Sequence, residues 1–596
     1  MADTPQKNSS KLVTTTIYSD GKKVDTRCVL ISLNITKEIN RVSSAKLRFL
    51  DGRMPDKDFP LSDMNYFNIG NDIRVDAGYD NVEKTIFNGI IIKHGLNSPS
   101  EDDSILEVEC MDYSVKTTYG RRNKVFEEIK DSDIMQSILG KYSDLSFDIE
   151  PTSYTHKVLV QYYTTDWDFV LSQADINGMV VISDAKEIGI KKPDVNGNPV
   201  HEITFGDDII EFRVEISAED QPGNVTAFSW DPSQQKLVSS GDSSPSLNKQ
   251  GDVTQNDLSK AIGADKVCLQ AGIPLEEGML KVWADSLLLK QGLSRYSGEI
   301  VLRGTAKVKQ GCIIKIVGVG KLFEGNVYVG SVEHDISEGD WKTTAVLGLK
   351  DDYVVEKENV KSASASGLLP GIEGLQIGKV VKLDSDPDGE SRIQVDIPIL
   401  NGDTNSVWAR LSNFYGTNQS GSFFLPEIDD EVILGFFNND PRFPVILGSL
   451  YSSKHTPPYE LEAKNNTKAI VTREKMKIEF DEEKKVITIL TPGNNTVTIS
   501  DDAKGIKLED QNSNVIELND SGISMSSPKD IKIDAKGKVS ISAVSNVEIK
   551  SNATVDIKGM AVQGAADTSL TMKGNASAEL SASGQTTVKG GMVMIN

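Results

Sequence analysis

From residue 481 to residue 596 the chain contains no Phe, Tyr, Trp, His or Cys. A globular core of that length normally draws on aromatics for bulk, so this last fifth of the chain is not an ordinary compact domain. Cysteine is scarce throughout: Cys28, Cys110, Cys268 and Cys312 are scattered, with no CxxC and no framework spacing. That excludes a disulfide scaffold and suits free or buried thiols in a reducing compartment. Positive charge is short, with 64 Lys and Arg against 87 Asp and Glu and a net charge of -23. A nucleic-acid binder needs a basic face, so DNA and RNA are not expected partners. No apolar run approaches the ~20 residues of a membrane helix. The opening MADTPQKNSS lacks the charged-then-apolar layout of a signal peptide. The expectation is a protein made in the cytoplasm that, if it leaves, does so without a cleaved export signal.

Catalytic patterns are missing as well. There is no GxSxG and no HExxH, and Gly378-Lys379 lacks the upstream glycine of a P-loop. His201-Glu202 stands without a second histidine. Asp384, Asp386, Asp388 and Gly389 open like a calcium loop, but the twelfth position, which should be a bidentate Glu, is Val395. These residues read as an acidic hairpin turn. No cofactor and no metal site is expected.

What is present is a repeat. From Gly522 onward, hydrophobic residues at i and i+2 recur every eight residues: Ile523/Met525, Ile531/Ile533, Val539/Ile541, Val547/Ile549 and Val555/Ile557. After one slip to seven at Val562 the octads resume with Leu570/Met572, Ala578/Leu580, Thr586/Val588 and Met594. Period two within a pair means a strand with one buried face. Period eight between pairs means one short strand and one corner per repeat. Such a strand spans roughly 25 Å and cannot cover its own apolar face. Three chains, each supplying one side of a triangle, can. The expected object is a homotrimeric, intertwined β-prism on the order of 70 Å long. Its trimer core would be Ile523, Met525, Ile531, Ile533, Val539, Ile541, Val547, Ile549, Val555, Ile557, Leu570, Met572, Leu580 and Val588. A monomeric β-solenoid or a disordered tail is the alternative, and a disordered tail would not hold its phase over so many repeats.

Ahead of the prism, residues 11–350 read as a β-rich domain with a few helices. Strands are expected at 28–38, 46–50, 71–79, 85–96, 104–114, 298–305, 311–319, 325–337 and 341–349. Helices are expected at 131–142, with Asp131 and Ser132 as N-cap candidates, at 164–178, closing on Asn177-Gly178, and at 275–292, ending at Gly292. Residues 232–262, rich in Ser, Gln, Gly and Asp, read as a long surface loop. Residues 351–371 form a linker, 372–459 a small antiparallel barrel of five or six strands, 460–475 a connector, and 476–596 the needle. The fold class is therefore mainly β.

The barrel carries a family resemblance. The run GSFFLPEIDDEVILGFFNNDPRFPVILGSLYSSKHTPP (421–458), together with the Val-Trp-Ala-Arg segment at 407–410, resembles the oligonucleotide-binding (OB) fold domain of VgrG spike proteins. Trp408, Arg410, Pro426, Glu427, Asp430, Glu431, Val432, Asp440, Pro441, Pro444, Val445, Gly448, Pro457 and Pro458 support it. The segment QYYTTDWDFVLSQADINGMVV (161–181) is similar to the N-terminal hub of the same family. VgrG is in turn similar to the hub and needle of phage tails and of extracellular contractile injection particles.

The resemblance implies a mechanism. Three hubs would form a ring of pseudo-six-fold character on the hexameric inner tube and contact the baseplate. The barrels would form a neck and the prism a needle, and sheath contraction would drive the whole through a target membrane. A PAAR-like tip protein would cap the needle, and effector toxins would ride on either. Met592, Val593, Met594, Ile595 and Asn596 are the expected tip-protein contact, since an end with unpaired strands and exposed apolar groups favours a cap. A blunt end that works uncapped is the alternative. The chain departs from some relatives. The gap at 460–475 is too short for the lysozyme domain of certain phage needles, and no effector is expected after Asn596. All five histidines (His94, His156, His201, His334, His455) lie outside the prism, so an iron-bound His-x-His tip is not expected. Two classes of function stay open: a puncturing spike of a type VI secretion system, phage tail or extracellular particle, and a β-helical enzyme acting on cell wall or polysaccharide. The absence of aromatic stacking surfaces in the needle counts against the enzyme.

Overall fold

The computed structural model describes residues 12–52, 57–99, 103–243, 245–350, 352, 354–357, 360–400 and 406–595. The chain divides into two compact units, one ending at Leu450 and one starting at Tyr451.

Alternating apolar residues build the first unit's main sheet of 13 strands. Its first half comprises Val13–Ser19, Lys22–Lys23, Leu30–Glu38, Ser44–Leu50, Asp72–Tyr79, Val82–Asn97 and Ile105–Met111. Its second half comprises His201–Thr204, Ile209–Ile216, Tyr296–Arg303, Ile313–Val317, Gly325–Ser337 and Asp340–Leu347. The halves join where Gly325–Ser337 pairs antiparallel with Leu30–Glu38, His334 opposite Ile35. Every second side chain of these strands points into a core, with Leu33, Leu47, Phe49, Ile73 and Val108 in one cluster and Ile300, Ile314, Val332 and Ala345 in another.

The helices differ from expectation in their ends. Helix Asp131–Leu139 is preceded by Lys130 and has no side-chain cap. Asp131, read as a cap candidate, instead receives Nε2 of His156 at 2.7 Å and Nδ2 of Asn177 at 3.0 Å. The Ser132 amide donates to Thr152 Oγ1. Helix Asp166–Ile176 is capped by Thr165, whose hydroxyl accepts from the Asp168 amide at 3.0 Å. Helix Glu277–Ser294 runs through Gly292. That glycine allows close packing and does not stop the helix: a Cβ there would lie 2.6 Å from Leu247.

The stretch 232–262 is not a bare loop. It holds strand Lys236–Ser239 and helix Gln255–Ile262, closed by a Thr254/Asp257 capping box and a left-handed Gly263. Polar contacts pin the rest. Asn248 donates to the Asn326 carbonyl, and its own carbonyl accepts from Arg295. Hydrogen bonds do here what apolar periodicity does elsewhere, so the hydrophobic pattern carries no sign of it. In the stretch read as a linker, Val354 is buried in the hub and its amide donates to Asp175.

The barrel closes through Gln376–Lys382, Ile393–Asp396, Ser406–Leu411, Pro444–Ser449 and Glu431–Phe436, which pairs back to the first strand. Val380, Ile393, Val395, Ala409, Val432, Leu434 and Ile446 fill it. No helix among the described residues is long and apolar enough to cross a membrane.

The second unit is built on a seven-stranded antiparallel meander. Its strands are Thr467–Val471, Lys477–Asp481, Val486–Leu490, Thr496–Ser500, Gly505–Glu509, Val515–Asn519 and Gly522–Ser526, each paired with the next. The first lies inside the stretch read as a connector. Each of the seven is five residues long, and their partners belong to the same chain.

Candidate functional site

The meander's register sorts its residues onto two faces. Ile470 lies opposite Ile478, Ile478 opposite Ile489, and Phe480 opposite Ile487. Ile487 meets Ile499, and Ile489 meets Val497. Val497 then meets Leu508, Ile499 meets Ile506, Ile506 meets Leu518, and Leu508 meets Ile516. Met525 and Ile523 end the two columns, opposite Ile516 and Leu518. Directly opposed residues share a face, so one side of this sheet is a continuous apolar surface. The other side is mostly polar, with Lys477 paired to Glu479 and Lys507 to Glu509. The Lys477 ammonium and the Tyr459 hydroxyl together hold the Glu479 carboxyl below its usual range.

Among the described residues of one chain, nothing covers the apolar side. Ile487, Ile489, Ile499, Ile506, Leu508 and Ile516 are all exposed in the isolated chain. A sheet that leaves one apolar face uncovered does not stand alone in water.

Beyond Ser526 the described residues form no strand pairs with one another, and from Pro528 to Ile595 every one is exposed. The exposures nevertheless repeat. The first residue of successive octad pairs is 55, 54, 56 and 51% exposed (Ile531, Val539, Val547, Val555), and the second is 69, 72, 70 and 69% (Ile533, Ile541, Ile549, Ile557). The backbone thus repeats with the sequence, turn after turn. Leu570, Met572, Leu580 and Val588 are equally open, as are Met592, Val593, Met594 and Ile595 at the end. Asn596 lies outside the described residues. The structure brings the octads into one run and adds the meander columns, which were not singled out as interface residues from sequence. Their signal was available in the turns between strands. Asp481 accepts from the amides of Glu483 and Lys484, and Asp510 from those of Asn512 and Asn514, which is the chemistry of a chain reversing on itself.

The acidic turn in the barrel is occupied by the protein itself. Asp386 accepts from the amides of Asp388, Glu390 and Arg392, and the Arg392 guanidinium forks onto it. The guanidinium holds the Asp386 carboxyl far below the usual carboxylate range. Among the described residues, no group of three or more His, Cys, Asp or Glu is placed to hold a metal ion. The four cysteines are unpaired. Several residues that carry the family resemblance prove to be makers of turns. Asp440 is buried and grips Arg442 through two side-chain bonds at 3.0 and 2.7 Å, and Asp430 accepts from the Glu427 amide.

Three family models match successive parts of the chain. Residues 9–338 match the family described as the Alg8 N-terminal domain. Residues 376–451 match the type VI secretion system/phage-baseplate injector OB domain, and 486–596 the phage baseplate V C-terminal trimerisation domain. The actin cross-linking toxin VgrG1 of Vibrio cholerae is 33% identical over 112 residues, 18% of this chain and 10% of that protein. The type VI secretion system spike protein VgrG3 of Vibrio cholerae is 31% identical over 116 residues, 18% of this chain and 11% of that protein. The chain thus spans about a tenth of the length of these curated relatives. Among solved structures, the 43 kDa tail protein of prophage MuSo2 from Shewanella oneidensis aligns with a TM-score of 0.44 and 11% identity, over 57% of this chain and 99% of that one.

Proposed function

As the chain belongs to the VgrG-type spike family, with an Alg8 N-terminal domain at its head, we propose that it forms a homotrimeric puncturing spike at the tip of a contractile injection apparatus. The observation that carries this reading is the apolar face of the meander, open in one chain and followed without a break by the octads. Three copies turned inward bury it. Each Ile, Leu or Val that goes from exposed to buried contributes on the order of 1.5–3 kcal/mol, so many weak columns together make a stiff, cooperative shaft. Once paired between chains, the octad strands leave no internal backbone group without a partner.

In this reading 11–350 is the hub, 351–371 the linker, 372–459 the neck, 460–475 the connector and 476–596 the needle. The fourteen apolar octad residues from Ile523 to Val588 form the trimer core. The hub docks on the hexameric inner tube and the baseplate. The end at Met592–Asn596 receives a PAAR-like tip protein, and effector toxins ride on the assembly. The spike waits in the cytoplasm and leaves by injection, touching the target membrane only in passing. The work is mechanical, and no catalytic residue, cofactor or metal is assigned. The acidic surface supports the exclusion of nucleic acid despite the OB barrel, since fold does not fix function.

The test is to mix the full chain with the inner-tube protein and inspect tube ends by electron microscopy. Three-fold density capping the tubes is the expected result. Bare tube ends at saturating protein would overturn the proposal.

A further inference from the structure

The barrel carries a hairpin whose composition is out of keeping with the rest of the surface. Residues 412–426 (SNFYGTNQSGSFFLP) contain no Asp, Glu, Lys or Arg, in a chain that is 25% charged. The hairpin is ordered by its own bonds: Gly416–Thr417 pairs with Ser420–Gly421, and the Ser422 amide donates to the Tyr415 carbonyl. Its aromatics nonetheless stand in solvent. Phe414 is 90% and Phe423 85% exposed, and Tyr415 and Phe424 are more than half exposed. Beside them Leu411, Phe414, Phe424, Leu425 and Pro426 border a hollow of about 340 Å³. None of these four rings is part of the barrel core, which includes Val380, Val395, Val432 and Leu434.

We infer that this hairpin is a clasp between copies, its rings seated on the barrel of the neighbouring chain. The inference rests on the trimer proposed above. Two observations commit it to a second copy of this chain. The first is charge. Each copy carries -23, and chains of like charge approach with least repulsion through a surface that has none. The second is continuity along the chain. The last barrel strand ends at Ser449 and the first meander strand begins at Thr467. Extended fully, that connection reaches at most about 60 Å. Three chains joined along the meander therefore hold their barrels within reach of one another, at a high effective concentration. An exposed apolar patch on each barrel then meets the same patch on its neighbours, and Phe side chains are strong interface anchors. The C-terminal shaft sets the number of chains, and the clasp keeps the barrels from swinging apart.

The test uses the full chain and two readouts on one sample: mass by light scattering and amide hydrogen exchange across 412–426. A reference is the variant Ile487→Asp/Ile499→Asp, designed to break the apolar face. The clasp predicts a trimeric mass and exchange at Phe414, Phe423 and Phe424 at least tenfold slower than in that variant. It also predicts that Phe414→Ser/Phe423→Ser keeps the trimeric mass and loses the protection. A trimeric mass with hairpin exchange as fast as in the variant would overturn the clasp alone. A monomeric mass for the parent protein would overturn the trimer and the clasp with it. Protection that appears only on adding lipid vesicles would assign the hairpin to a membrane and overturn the clasp.

Discussion

Burial sets the charge state of two side chains in the hub, with opposite consequences for stability. His334 is buried, its Nδ1 3.0 Å from Thr343 Oγ1, and desolvation pushes its pKa down to about 3. Asp112 is buried beneath the start of a helical turn, where it accepts from the Ser114 amide, and desolvation pushes its carboxyl up to about 6. The depressed His contributes stability that is fully present above its ordinary value of 6.5 and is lost as pH falls towards 3. The raised Asp contributes stability that is fully present below its ordinary value of 3.8 and is lost as pH rises through about 6. Between pH 6 and 4 they oppose each other, each changing stability by up to about 1.4 kcal/mol per pH unit. His334→Gln should therefore flatten the loss of hub stability on acidification, and Asp112→Asn should steepen it. Urea unfolding followed by tryptophan fluorescence reads this directly, because the five tryptophans (Trp167, Trp230, Trp283, Trp341, Trp408) all precede the needle. An unchanged slope in both variants would contradict the assignment. Neither role was legible in the sequence. His334 faces Thr343 only because two strands pair in one register, and register is a long-range property.

Among elements, the meander and the octads use the same apolar pattern with different partners. The meander's strands are joined by turns that reverse the chain, so its ladder closes within one chain. The first octad, Gly522–Ser526, still pairs with the meander, and after Ser526 the octads have no strand partner in their own chain among the described residues. The meander can therefore form first and present a finished face to two other copies, setting the register from which the octads assemble. Ile487 and Ile499 sit directly opposite each other on that face. Replacing both with Asp places charges where three chains meet, at a cost of several kcal/mol per chain, and should yield a monomeric full-length protein in light scattering. Ile541→Asp perturbs a single octad, and the trimer should survive with faster proteolysis near residue 541. If Ile541→Asp alone gave monomers, the order of assembly would be wrong. The octad period was plain in the sequence, because eight-residue spacing is a local regularity. The meander's intrachain pairing was not inferred, since a spacing of nine or ten residues fits a return within the chain or a step to a neighbour. The hub segment 232–262 was misread for a related reason. Its order comes from Asn248, Arg295 and the Thr254 capping box, which leave no hydrophobic rhythm.

In the proposed reading the chain is a series of blocks with different partners. Its length along the sequence separates them, so removing one end should spare the other. A chain lacking residues 591–596 should keep its trimeric mass and still enter assembled particles, yet fail to capture a tip protein and fail to deliver cargo, as scored by co-purification and by killing of target cells. Delivery at the parental level would remove the proposed role of Met592, Met594 and Ile595. The chain's changes of texture were legible, since mixed strands and helices give way to a run of turn-forming Pro and Asp and then to octads. The open faces of the meander and of the barrel hairpin were not legible, because their exposure is fixed by the strand register and hairpin geometry of the folded chain. The measurement that bears most directly on the account is the mass of the purified full chain by light scattering at micromolar concentration. The prediction is a value close to three times 65.0 kDa, with residues 476–596 resistant to protease. A mass of one chain at that concentration, with 476–596 readily cut, would contradict it.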